Sequence, residues 1–179
     1  MKLRRHSSAG FSLIELMMTL VLLVIFILLA APSFSAWIMN TRIRTTAESI
    51  MNGLQVARNE AVGRNTTVQF VLDAAGSGWT VSCQNVVLPV CPDTNPIQQR
   101  ATGEGGNNTI TVTPSSSRTI VFNSFGLMTS PAVVGNNVVS FDIDGPDAAE
   151  SRELRVTIQA GGNVRMCDPQ VTGTDPRAC

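Results

Sequence analysis

Tyrosine is absent from these 179 residues, and histidine and lysine occur once each, as His6 and Lys2. Both stand before residue 10, so the chain beyond lacks the commonest general bases and cannot build a Ser-His-Asp, Cys-His or Ser-Lys arrangement. Paired acids are the one catalytic resource left. The run DIDGPD (142–147) sets Asp142, Asp144 and Asp147 around Gly145, which resembles part of a calcium loop without its closing glutamate. A strand running into an Asp-Gly-Pro turn accounts for it, and no enzymatic activity, metal or cofactor is expected. Charge is scarce as well, at 15% of residues, against 44% apolar. That composition allows a buried core in one globular domain with something added.

The addition is at the start. From residue 16 to residue 31 the chain reads LMMTLVLLVIFILLAA, and no charge follows until Arg42. As a helix, residues 16–41 would extend about 39 Å, enough for a bilayer core of roughly 30 Å. Before the run, MKLRRHSSAG carries Lys2, Arg4 and Arg5 and no acid, a flank that stays in the cytoplasm while the rest crosses. An ordinary signal peptide would end after the run, at Ser33, Ser35 or Ala36. That leaves Glu15 unexplained, a carboxylate at the mouth of an apolar segment where ionised groups are costly. Cleavage between Gly10 and Phe11 explains it: the new amine of Phe11 falls within about one helical turn of Glu15 and can neutralise it.

The spacing of Gly10, Phe11 and Glu15 ahead of the apolar run resembles the type IV prepilin signature. The resemblance implies that an inner-membrane prepilin peptidase removes residues 1–10 and methylates the Phe11 amine. It also implies that Glu15 sets axial register during assembly and that Pro32 kinks the helix, as a proline at this distance does in pilins. A helix stop at the membrane exit is the alternative for Pro32.

Beyond the run, Ile43, Ala47, Ile50, Leu54, Ala57 and Ala61 step by four and three, one apolar stripe on a helix that Gly63 and Asn65 end. The two helical segments together make about 50 residues. The remainder alternates as strands: TTVQFVL (66–72), WTVSC (79–83), NTITVT (108–113), RTIVFNS (118–124), VVSFDID (138–144), ELRVTIQ (153–159) and NVRMC (163–167). Residues 76–78 and the pair Gly161, Gly162 read as turns, and residues 84–107 as a long loop. The expected class is α+β, a long N-terminal helix packed on an antiparallel sheet or sandwich of about seven strands. The expected divisions are a leader at 1–10, a transmembrane and assembly helix at 11–36, its amphipathic half at 37–65 and a β-rich head at 66–179.

Four cysteines, Cys83, Cys91, Cys167 and Cys179, lie in the exported part, where an even number reads as disulfides with three pairings open. The local pairs, Cys83 with Cys91 and Cys167 with Cys179, are the expectation; their spacing fits no zinc pattern.

The head resembles minor pilins and pseudopilins of the FimT/FimU and GspH group, through LQVARNEAVGRN (54–65), TIVFNSFG (119–126) and GGNVRMCDP (161–169). The resemblance implies a non-enzymatic subunit of the bacterial inner membrane, its head in the periplasm, that passes into a pilus or a type II secretion pseudopilus. The implied partners are other major and minor pilins, the prepilin peptidase and the inner-membrane assembly platform. Some FimT proteins bind DNA through a Gly-Arg-x-Arg element. Here Gly162, Asn163, Val164 and Arg165 keep the glycine and the second arginine only. Arg155, Arg165 and Arg177 are the candidate DNA contacts. Without the leader, 10 arginines face 13 acids, a net charge of −3 that does not favour nucleic acid.

Overall fold

The computed structural model describes residues 10–74, 76–85, 90, 91, 96–104, 110–131, 138–147 and 151–179, with only the backbone of residues 30–32. Helix α1 is Leu13–Gly63. The chain divides into two compact units, one ending at Trp37 and one running from Ile38 to Cys179.

In the first unit the helix opens on a serine N-cap. Ser12 precedes it, and the Glu15 backbone N–H donates to Ser12 Oγ at 3.3 Å and to Ser12 O at 3.1 Å. Every large apolar side chain from Leu13 to Leu29 is exposed, between 47% and 78%.

The second unit is the head. The stripe predicted from the sequence is its helical face: Ile43, Ala47, Ile50, Leu54, Ala57 and Ala61 are all 0% exposed. The helix stops at Gly63 because Asn65 turns left-handed, at φ 51°, and the Thr66 N–H closes the end on Ala61 O.

Among the described residues nine strands follow: β1 (Val68–Leu72), β2 (Trp79–Cys83), β3 (Gln98–Arg100), β4 (Thr111–Pro114), β5 (Thr119–Phe122), β6 (Met128–Ser130), β7 (Val139–Asp144), β8 (Leu154–Ile158) and β9 (Val164–Cys167). They form two antiparallel sheets, β3-β2-β1-β5-β6 and β4-β7-β8-β9. Alternation sends Val68, Phe70 and Leu72 of β1 and Val139, Phe141 and Ile143 of β7 into one core with the helical stripe. Each such side chain contributes roughly 1.5–3 kcal/mol by leaving water.

Two strands depart from the sequence expectation. β3 lies inside the segment read as a loop at 84–107, where Gln98, Gln99 and Arg100 pair with Val81, Thr80 and Trp79 through backbone groups alone. β6 is three residues long and pairs with β5 across a register shift. Of NTITVT, residues 108 and 109 lie outside the described residues, as do 1–9 of the leader.

Helix and sheets meet closely. A Cβ on Gly53 would lie 2.8 Å from the Phe70 ring and 2.9 Å from the Trp79 ring, so only glycine lets β1 and β2 approach. Trp79 Nε1 donates to Ser49 Oγ at 2.9 Å, and the Arg152 N–H donates to Asn40 Oδ1 at 2.8 Å. These two bonds tie α1 to both sheets.

Candidate functional site

The N-terminal unit is a helix whose apolar side chains are exposed from Leu13 to Leu29. A helix apolar all round requires lipid or other helices about it. No single helix among the described residues is long and apolar enough to cross a membrane; Leu13–Leu29 and Ser33–Gly63, on either side of residues 30–32, meet the length and composition together. The side chain of Pro32 lies outside the described residues. Gly10 and Phe11 are exposed ahead of the helix, and Phe11 is 81% exposed.

Glu15 occupies the third helical position, in the first turn, where unpaired N–H groups and the helix dipole favour a carboxylate. Its place is therefore set locally, by Ser12, as well as by whatever meets it later. The Ser-x-x-Glu spacing is the sequence signal for this cap, independent of the spacing of Gly10, Phe11 and Glu15.

In the head, the three arginines considered for DNA have intramolecular partners. Arg155 faces Asp142 across the β7–β8 pairing, and both Nε and Nη2 of its fork bind that carboxylate. This hydrogen bonding raises the guanidinium pKa above its ordinary value. Arg165 lies two residues along β9 from Cys167, the pairing partner of Arg155, so the two arginines share a face of the sheet. Its Nη2 donates to Pro176 O at 2.7 Å and Ala178 O at 2.8 Å. Arg177 binds Asp175 through Nη2 at 2.8 Å and Nε at 3.1 Å, which lowers the Asp175 pKa to about 2.

Asp144, the second acid of DIDGPD, accepts from Ser151 Oγ and from the Gly145 N–H, both at 2.7 Å. With Asp142 committed to Arg155, the acids of this run organise the turn that leads into β8.

Cys83 is bonded to Cys91 and Cys167 to Cys179. The second bridge, with Arg165 and the parallel bridge between Asp168 and Ala178, lays the C-terminal segment along β9. That segment covers the edge strand of its sheet, where open backbone groups invite unwanted pairing.

The profile of the Type II transport protein GspH family matches residues 46–166, and that of the prokaryotic N-terminal methylation motif matches residues 5–31. No curated protein matches the sequence. The type IV minor pilin FimU of Pseudomonas aeruginosa PAO1 is similar in structure, with a TM-score of 0.55 and 18% identity over 75% of this chain and 95% of that one. The minor pseudopilin EpsH from the type 2 secretion system of Vibrio cholerae aligns with a TM-score of 0.51 and 14% identity, over 73% of this chain and 99% of that one. These likenesses establish a shared fold. The GspH match spans more than half the sequence, its matched region holds the helical stripe from Ala47 onward and all nine described strands but the last residue of β9, and the methylation motif precedes it: the chain belongs to the GspH family and is a minor pilin or pseudopilin.

Proposed function

We propose that this chain is a minor type IV pilin that primes filament assembly at or near the pilus tip, without enzymatic activity. A prepilin peptidase removes residues 1–10 and methylates the amine of Phe11. The apolar helix then holds the protein in the bacterial inner membrane as a single pass, with the head in the periplasm. During assembly by the inner-membrane platform the helix leaves lipid and packs among the helices of other major and minor pilins. Apolar packing supplies most of the affinity, and Glu15 pairs with a neighbour's Phe11 amine to fix axial register.

The observation that carries this reading is the uninterrupted exposure of apolar side chains from Leu13 to Leu29, directly behind Gly10 and Phe11. Mass spectrometry of the protein recovered from membranes tests it: a mature chain beginning with N-methylated Phe11 is expected, and one beginning near residues 35–37 would overturn it.

A second reading, a minor pseudopilin of type II secretion, draws support from the GspH match and the likeness to EpsH. Deletion of the gene separates the two, since the first predicts loss of surface pili and the second loss of an exported protein. A DNA-binding role through Arg155, Arg165 and Arg177 is disfavoured by the net charge of −3 and by the partners these side chains already hold. A salt-dependent mobility shift with duplex DNA checks it.

A further inference from the structure

The head holds a cleft of about 420 Å³. Asn40 and Arg44 of α1 line it together with Arg152, Met166, Asp168 and Arg177. Three guanidinium groups thus line one opening, each paired through part of its fork with a carboxylate: Arg44 with Glu48, Arg152 with Asp168 and Arg177 with Asp175. The carboxylate of Asp168 is already satisfied: the side chain is 6% exposed and accepts from Arg152 Nε at 2.6 Å and from the Gln170 N–H at 3.0 Å. Among the described residues, Arg44 and Arg152 spend only Nε on partners, Glu48 and Asp168, so the terminal amino groups of both forks are available. Paired forks of this kind suit the oxygens of a phosphate, which they bind in two-point fashion. Met166 and the disulfide at Cys167 add an apolar wall.

The place of the cleft along the chain indicates which phosphate. From Leu13, where α1 begins, to Trp37 the rise along the helix contour is about 36 Å, enough to bring Trp37 to the far boundary of a bilayer core of roughly 30 Å. Trp37 is 63% exposed and stacks with Phe34 at 5.8 Å between ring centres, the aromatic pairing suited to a membrane interface. Asn40 is three residues on, so it lies no more than about 11 Å of chain from that boundary whatever path the backbone takes. Arg42 and Arg44 follow at once, on the side of the membrane where basic residues are usually depleted. A local anion would offset that disadvantage.

We propose that this cleft binds the phosphate of an anionic phospholipid of the phosphatidylglycerol class, in the leaflet adjoining the head, while the protein waits in the membrane. The assignment rests on the membrane-anchored state proposed above. Release of that lipid is then one step of the passage from membrane to filament.

The test uses the full chain in nanodiscs of phosphatidylcholine with and without phosphatidylglycerol, read in two ways. Quenching of tryptophan by brominated phosphatidylcholine reports anchoring, since Trp79 is buried at 2% exposure and only Trp37 can meet lipid. Native mass spectrometry of the released protein reports which lipid stays bound. The expected result is quenching in every variant, with wild type retaining phosphatidylglycerol about tenfold over phosphatidylcholine. The double variant Arg44→Gln, Arg152→Gln should lose that preference. Arg44→Gln alone should reduce it severalfold; its side chain is 69% exposed and supports no core, so folding is not at stake. Equal retention of the two lipids by wild type, or undiminished preference in Arg44→Gln, would overturn the proposal while quenching left the anchoring intact. Displacement of the lipid by soluble glycerol phosphate would overturn it in favour of a free-phosphate site. Absence of quenching would overturn both the anchoring and the lipid site.

Discussion

A Cβ on Gly162 would overlap the carbonyl oxygen of Gly126, so the turn between β8 and β9 touches the turn between β5 and β6 backbone to backbone. Both glycines have φ of 73°, the left-handed region that other residues enter at a cost. Arg58 of the helix donates to the same Gly126 oxygen at 3.1 Å, and the Met128 N–H donates to Ala160 O at 3.0 Å beside it. One small junction therefore joins the helix and both sheets.

Gly162→Ala is expected to destabilise the head by about 2–3 kcal/mol, from left-handed strain together with the overlap. Gly161→Ala, whose Cβ would meet nothing within 4 Å, should stay within about 0.5 kcal/mol of wild type. Urea unfolding of a soluble fragment beginning at Ile38, which carries the whole core, measures both and tests whether that fragment folds.

Thr46 offers the opposite sign. Its side chain is 1% exposed, and among the described residues its Oγ1 is buried with no hydrogen-bond partner. Valine keeps the shape and the β-branch and removes the stranded hydroxyl, so Thr46→Val should raise stability by about 1 kcal/mol. A lower urea midpoint would show that the hydroxyl is satisfied after all.

Glu15→Ala is expected to leave leader removal and membrane level unchanged and to reduce the protein found in sheared filaments. An unpaired buried amine costs roughly 3–5 kcal/mol, enough to exclude the subunit from an assembly of paired neighbours. Normal incorporation would show that Glu15 serves the Ser12 cap and not the register.

Replacing both Cys167 and Cys179 by serine should cost about 3 kcal/mol on the chain-entropy account of a loop with sequence separation 12. The same variant should expose the Arg177–Ala178 bond to trypsin, because the segment along β9 is held by that bridge and by Arg165. Equal resistance to cleavage would mean that the hydrogen bonds suffice.

Asp175 provides a titration. Its pKa is lowered from 3.8 to about 2, first by the hydrogen bond from the Arg177 side chain. A depressed carboxylate contributes stability that is complete above its ordinary pKa and is lost as pH falls toward the folded value. The C-terminal segment should thus hold its contacts at pH 5 and loosen between about pH 4 and 2. Carboxyl NMR should place the Asp175 midpoint near 2 in wild type and nearer 3.8 in Arg177→Gln.

Much of this architecture could be read from the sequence where side chains alternate between core and water. The stripe from Ile43 to Ala61 and the inward residues of β1, β2 and β7 announce themselves by period, because burial acts on every third, fourth or second side chain. β3 and β6 do not. Gln98, Gln99, Thr129 and Ser130 are exposed, and the backbone groups that carry their strand pairing leave no mark in side-chain alternation. The N-terminal methylation motif is legible from Gly10, Phe11 and Glu15, and the Ser12 cap from the Ser-x-x-Glu spacing. The cleft was beyond reach, since Arg44, Arg152 and Arg177 meet only when the chain between residues 44 and 177 has folded around the core.

In the proposed filament, where the subunit would be held by its helix, the junction of Gly126, Gly162 and Arg58 has a mechanical meaning. Tension applied along α1 enters the head at the helix, and Arg58 passes part of it to the β5–β6 turn before the chain reaches β1. The backbone contact at Gly162 then hands load to the second sheet. Strain is shared between two sheets at one point, so under pulling the head should yield as a single body, and weakening that point should let the sheets come apart in sequence at lower force.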